Sequence, residues 1–294
     1  MLERGWAIVA ALVLAPWASA SAQVTFPADG AYSPWPCQAG VMIDAVHDEA
    51  GATAERDLVG DDAAPAGLRA ADGQFLYLRL RVDSDPRLGN ARAWGLLIDT
   101  DGDASTYEVL LGADGGTQTV SIYRNTTSIP GDARDPPDAT AFMVYAWSDR
   151  AGAPLATGSS FGGGADYFVD FAFSWTDLAA VGITPTSPLR VWAASTTTIP
   201  NGMNGDFACW VGGTGVALGG DWPRTTGDPA QDSDGDGFSD AIELEHATDP
   251  FDRRSQPGAS LAGGGGCHHG SSGALALALA LASLLWARAR AARS

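Results

Sequence analysis

The chain has 294 residues and no lysine; all 17 of its basic residues are arginine. A P-loop lysine, a Schiff-base lysine and a Ser-Lys dyad are therefore excluded. Positive charge is scarce altogether: 35 acids leave a formal net charge of −18, which argues against nucleic acid or an anionic membrane as a partner of the folded part. Cysteine is limited to three residues, Cys37, Cys209 and Cys267. What the chain does have is 45% hydrophobic and 9% aromatic residues, enough for a core, together with 37 Gly and 17 Pro that suggest many turns. An all-β fold is favoured over a helical one.

The two ends read as addresses. Met1 to Ala22 has a short charged start at Arg4, an apolar run from Trp6 to Trp17 and small residues from Ala18 to Ala22, the pattern of a secretory signal peptide with an A-x-A cleavage site. At the other end Gly263–Gly266 lead to Cys267, an apolar stretch from Gly273 to Trp286, and Arg288, Arg290 and Arg293. About 20 helical residues span a bilayer, which the stretch from Gly270 to Ala287 barely supplies. The terminal arginines would keep this end cytoplasmic, so the expectation is a C-terminal transmembrane helix on an exported protein.

From Leu261 to Ser294 these residues resemble the MYXO-CTERM sorting tails of myxobacterial surface proteins. The resemblance implies processing at Cys267 by a sortase-like membrane protease, and display at the outer membrane or cell surface. A plain tail anchor is the simpler alternative. In an exported chain Cys37 and Cys209, which bracket the central region, are expected to pair as a disulfide. Closing so long a loop contributes on the order of 4 kcal/mol in the chain-entropy model.

Between the ends the apolar pattern has period two. Leu78, Leu80 and Val82 alternate with Tyr77, Arg79 and Arg81, and Val120 and Ile122 alternate with Thr119, Ser121 and Tyr123, as in strands with one buried face. Further strands are expected at Gly40–Asp44, Ala93–Asp99, Thr106–Leu111, Ala141–Trp147, Asp166–Phe173, Leu189–Ser195 and Asp206–Val211. A short helix over Trp175–Val181 would have Ser174 as its N-cap and Asp177 as a capping-box acid. About nine strands predict a β-sandwich over residues 23–220, followed by a calcium-loop stalk at 221–257, a Gly-rich linker at 258–266 and the Cys-containing tail at 267–294.

Two stretches, Leu76–Asp83 with Trp94–Asp101, and Asp166–Phe173, resemble pieces of secreted β-sandwich modules of the DOMON and family 9 carbohydrate-binding group. That resemblance implies a sandwich and raises the prospect of a polysaccharide ligand. Trp94, Trp147, Trp192 and Trp210 fall in expected strands, where burial is the ordinary role. Trp35 and Trp222 lie in Pro-containing loops and are the candidates for exposed ligand contacts.

The most specific motif runs from Asp232 to Glu243 and fits the twelve-residue loop D-x-[DN]-x-[DN]-G-x5-E without a mismatch. Calcium is a hard cation that takes about seven oxygens. Asp232, Asp234 and Asp236 would supply side-chain ligands, Phe238 a backbone carbonyl, Asp240 a direct or water-mediated ligand, and Glu243 a bidentate carboxylate. Pro223 and Pro229 leave no entering helix of a paired EF-hand, whereas Asp240–His246 can form an exiting one. Loop, exiting helix and Thr248-Asp249-Pro250 resemble the thrombospondin type 3 repeats of bacterial surface proteins, which implies a calcium-stiffened spacer. A solvated acidic linker is the alternative. A second candidate, Asp99, Asp101 and Asp103, has the first half of such a loop but Leu110 at its twelfth position, and an Asp- and Gly-rich turn accounts for it as well.

Catalytic patterns are sparse. Gly158-Ser159-Ser160-Phe161-Gly162 matches G-x-S-x-G, but a nucleophile elbow needs a strand before it and a helix after it. His47 with Asp44 and Asp48 could mimic an acid–base group. The expectation is a noncatalytic, calcium-binding surface protein, with a carbohydrate-binding module as the alternative and a hydrolase third.

Overall fold

The computed structural model describes residues 23–258 apart from 39, 50, 51, 90, 211–217, 220 and 221. The signal-like segment 1–22, Cys267 and the apolar tail lie outside the described residues. Among the described residues no helix is long and apolar enough to cross a membrane.

Eleven strands follow in order: β1 (Ser33–Pro34), β2 (Gly67–Ala71), β3 (Phe75–Val82), β4 (Ala93–Asp99), β5 (Val109–Asp114), β6 (Thr119–Arg124), β7 (Met143–Ala146), β8 (Ala151–Gly152), β9 (Tyr167–Ser174), β10 (Arg190–Thr196) and β11 (Asp206–Phe207). Three short α-helices are interspersed among the described residues, α1 (Trp147–Arg150), α2 (Trp175–Ala179) and α3 (Asp240–Glu245). The strands form two sheets, β1-β2-β3-β9-β8 and β11-β10-β4-β5-β6-β7, and every pairing is antiparallel. Leu76, Leu78, Leu80 and Val82 of β3 share one core with Trp94, Leu96 and Ile98 of β4 and with Val191 and Ala193 of β10. The architecture is mostly β, two antiparallel sheets in a sandwich-like arrangement around one core, as the alternation of apolar residues leads one to expect.

Several expected elements are corrected. Gly40–Asp44 makes only isolated bridges, Pro36 to Val41 and Asp44 to Gly60. Strand β5 begins at Val109 instead of Thr106 because Thr106 is held in the preceding turn, its N–H donating to the Asp103 carbonyl at 3.0 Å. Trp147 opens α1 in place of closing a strand. The Gly- and Ala-rich β2 has little intrinsic strand preference, and its pairing with β3, Gly67 opposite Leu80 through Ala71 opposite Leu76, is what defines it.

Helix α2 has the expected cap: the Asp177 N–H donates to Ser174 Oγ at 3.2 Å. It stops at Ala179, short of Val181, because the chain turns through Gly182 at φ +89°, a conformation glycine adopts without steric cost. The outer face of β3 is also covered, contrary to the expectation of a single buried face. Tyr77 packs with Val24, Phe26 and Tyr32 of the N-terminal segment, and Arg79 bonds Asp170 of β9.

Residues 222–257 belong to the same compact unit as the two sheets. Leu189 and Thr225 exchange both backbone hydrogen bonds, the Trp222 ring sits 5.8 Å from that of Trp192, and Arg190 Nε donates to the Trp222 carbonyl. The calcium-loop segment is thus docked on the sheets, where the sequence suggests a projecting stalk.

Candidate metal centre

The loop at Asp232 is built by its own backbone. Asp232 Oδ1 accepts from the Gly235 N–H at 2.7 Å, and Oδ2 accepts from Gly237 N–H at 3.0 Å. Asp234 and Asp236 cap the N–H groups of Asp236 and Phe238 in turn. Gly235 and Gly237 take φ of +74° and +100°, so the chain can coil tightly enough to aim successive carboxylates inward. As a result Asp232, Asp234 and Asp236 each bring one oxygen within 4.8 Å of the others.

Helix α3 delivers the twelfth loop position. Glu243 is fully buried, and both of its carboxylate oxygens lack a hydrogen-bond partner; the same is true of Asp234 Oδ2 and Asp236 Oδ2. Burial, reinforced by Asp234, Asp236, Asp240 and Asp232, pushes the Glu243 carboxyl up to about 7. Buried carboxylate oxygens without donors are costly unless a cation or a proton meets them. The donor set is entirely oxygen and fits calcium.

Asp240 departs from the expected ligand set. Its Oδ1 accepts from the Ser233 N–H at 2.9 Å, and its Oδ2 accepts from the Ser233 and Thr226 hydroxyls at 2.8 and 2.5 Å. With both oxygens engaged, Asp240 ties the loop to Thr226, next to the Thr225 bridge to Leu189. Phe238 stands in the loop with its N–H bound to Asp236 Oδ1 at 2.9 Å.

Glu243→Gln is expected to weaken calcium binding by about a hundredfold, roughly 2.7 kcal/mol, because it removes one ligand charge while keeping the shape of the side chain. Titration calorimetry on wild type and variant measures this. The calcium-free protein should also respond to pH. A folded-state value near 7 against an ordinary 4.5 means that the contribution of this group to stability is full below 4.5 and is lost as pH rises through 7. Calcium has to displace that proton, so its affinity should climb between about pH 6 and pH 8, with proton release visible in buffers of different ionisation enthalpy.

The second candidate is rearranged. Asp99, Asp101 and Glu108 come together, while Asp103 caps Ser105. Asp99 Oδ1 accepts from the N–H groups of Asp101 and Gly102, and Oδ2 pairs with Arg190 at 2.7 Å. Glu108 accepts from Thr100 N–H and the Thr106 hydroxyl. With its carboxylates already satisfied, this cluster has the character of a fixed turn. Glu108 escaped the loop pattern because it lies at no ligand position of the twelve-residue spacing.

The aromatic candidates also change places. Trp35 is fully buried under Arg69, whose guanidinium carbon lies 4.3 Å from the ring centroid, and Trp222 is 4% exposed against Trp192. Apolar packing in these loops outweighs their proline content. Trp210, expected in the core, is instead 37% exposed. Cys37 and Cys209 form the expected disulfide, with Cα atoms 6.3 Å apart. His47 faces Asp57, with Nδ1 2.9 Å from Oδ2, and not Asp44 or Asp48. Gly158–Gly162 lies among turns that follow the Leu155 bridge and precede β9, so the strand–turn–helix of a nucleophile elbow is not formed there.

Fold and loop together define a mostly β protein, two antiparallel sheets in a sandwich-like arrangement with an acidic oxygen-donor loop docked against them. Within it, residues 232–252 match the bacterial TSP3 repeat, a calcium-binding unit, as the spacing of the aspartates leads one to expect. No curated protein and no solved structure matches the chain.

Proposed function

We propose that this chain is an exported, calcium-binding protein of the cell surface that displays a noncatalytic sandwich, its single TSP3-type loop stiffened by calcium. The observation that carries the reading is the set of buried, donorless oxygens on Asp234, Asp236 and Glu243 inside the repeat. Calcium held there would lock α3 to the loop, and Asp240 would carry that rigidity to Thr226 and the sheets. The signal-like N-terminus and the apolar, arginine-ended tail support export and C-terminal anchoring, with Cys267 as the processing point. Calcium titration of the full chain, with mass analysis of protein released from the cell surface, tests both parts: one ion bound at the repeat, and loss of the apolar tail. Recovery of the intact tail would refute processing at Cys267.

A polysaccharide ligand is the second reading, favoured by Trp210. It lines a cleft of about 560 Å³ with Ile43 and Phe161 beside the disulfide, and an exposed aromatic face suits a sugar ring. On a glycan array, Trp210→Ala is expected to abolish any specific signal. A signal unchanged by Trp210→Ala would remove this reading.

A further inference from the structure

A second group of acids lies well away in sequence from the TSP3-type loop, where the Asp44–Glu49 segment meets β11. Asp44 is 5% exposed, and neither of its oxygens has a hydrogen-bond partner; Glu49, 7% exposed, is in the same condition, as are both oxygens of Asp48. Asp44, Asp48 and Asp206 each bring one carboxylate oxygen within 4.8 Å of the others. Two oxygens bound to one calcium at about 2.4 Å can be no more than about 5 Å apart, a pairwise limit that all three oxygens meet.

Asp206 is fully buried and held by backbone donors, the Leu58 N–H on Oδ2 and the Phe207 N–H on Oδ1 at 2.7 Å. Asp44 is fixed through its backbone, which exchanges hydrogen bonds with Gly60 at 2.9 and 3.0 Å, and the neighbouring Ile43 carbonyl accepts from Cys209 N–H at 2.6 Å. Asp44 and Asp206 are therefore brought together by the fold itself.

We propose that Asp44, Asp48 and Asp206, with Glu49 beside them, form a second calcium site that pins the 44–49 segment to β11 next to the disulfide. Four buried carboxylates carry a formal charge of −4, and their desolvation is unfavourable without a counter-charge. A shared proton satisfies one oxygen pair at a time, whereas six oxygens of Asp44, Asp48 and Glu49 are without donors. A cation that takes six to eight oxygens answers all of them together. Nitrogen and sulfur are absent from the set, because His47 is turned to Asp57 and Asp83 and Cys37 and Cys209 are bonded to each other. This excludes a soft metal.

The test counts calcium on the full chain in mild detergent by native mass spectrometry and follows binding by calorimetry. Wild type is expected to hold two ions. A loop-disabled chain, Asp232→Asn with Asp234→Asn and Glu243→Gln, should keep one, and adding Asp44→Asn with Asp48→Asn should leave none. A folded loop-disabled chain that binds no calcium at millimolar concentration overturns the proposal, as does an ion that persists after Asp44 and Asp48 are changed. Displacement by equimolar magnesium overturns the assignment to calcium. If the Asp44→Asn and Asp48→Asn chain does not fold, Glu49→Gln on the loop-disabled background decides the matter, with about tenfold weaker binding expected and unchanged binding counting against the site.

Discussion

Replacing Cys37 and Cys209 together by alanine is expected to destabilise the protein by about 4–5 kcal/mol, the upper part of the range for a single disulfide. The size follows from the sequence separation of 172 residues, because the entropy removed from the unfolded chain grows with the length of the closed loop. The bridge joins a segment preceding β2 to the residues after β11, and Cys209 N–H also bonds the Ile43 carbonyl. Its loss would free both the mouth of the Trp210 cleft and the Asp44 acids. Urea unfolding in saturating calcium, so that metal occupancy does not vary, measures the change. A loss below about 1 kcal/mol would show that the unfolded chain is already restrained by other means.

Asp170→Ala should cost about 3–5 kcal/mol, the penalty for leaving one member of a buried ion pair without its partner. Arg79 and Asp170 stand directly opposite each other on β3 and β9. They form a two-pronged pair, Nε to Oδ1 at 2.7 Å and Nη2 to Oδ2 at 2.8 Å, with both side chains almost wholly buried. Tyr32 and Phe168 close over the guanidinium, their ring centroids 4.0 and 4.2 Å from its central carbon. After the substitution only Asp29 remains as an acidic partner, at 2.7 Å and itself largely exposed, so most of the desolvation penalty would stand. Arg79→Met combined with Asp170→Leu should recover most of the loss, since it removes both charges while filling the space. Chemical denaturation of the three variants separates the cost of an orphaned charge from the net worth of the pair.

The strands that were legible in the sequence are those whose residues carry their own signal. Strand β4 is a continuous apolar run and the core of β3 a Leu- and Val-bearing alternation, each between clear turns, and their limits could be read almost to the residue. Strand β2 and the two-residue β1 and β8 could not, because Gly-Leu-Arg-Ala-Ala has no strong preference and pairs only after β3 exists to receive it; β11 starts at Asp206 as expected but ends at Phe207. The same distinction holds for the metal residues. Asp232, Asp234, Asp236 and Glu243 are local in sequence, so their spacing alone announces a hard-cation loop. Asp240 fits that spacing too, yet its oxygens are taken by Ser233 and Thr226. Which of two uses a carboxylate serves depends on neighbours that the motif does not contain.

The sequence by itself determined the acidic balance, the aspartate spacing of the TSP3-type loop and the two cysteines that pair. Its charge also has a legible internal distribution: Gln23 to Gly266 carries 34 acids against 13 arginines, −21, while the last residues are basic. Only the tertiary structure decided that Trp35 and Trp222 are covered and Trp210 is open, and that Asp44, Asp48 and Asp206 meet. Side-chain burial depends on what other strands bring across, and residues more than 150 positions apart become neighbours only through sheet pairing and the disulfide. A periodic pattern reports a local preference for one face, but it carries no record of which distant segment will cover that face.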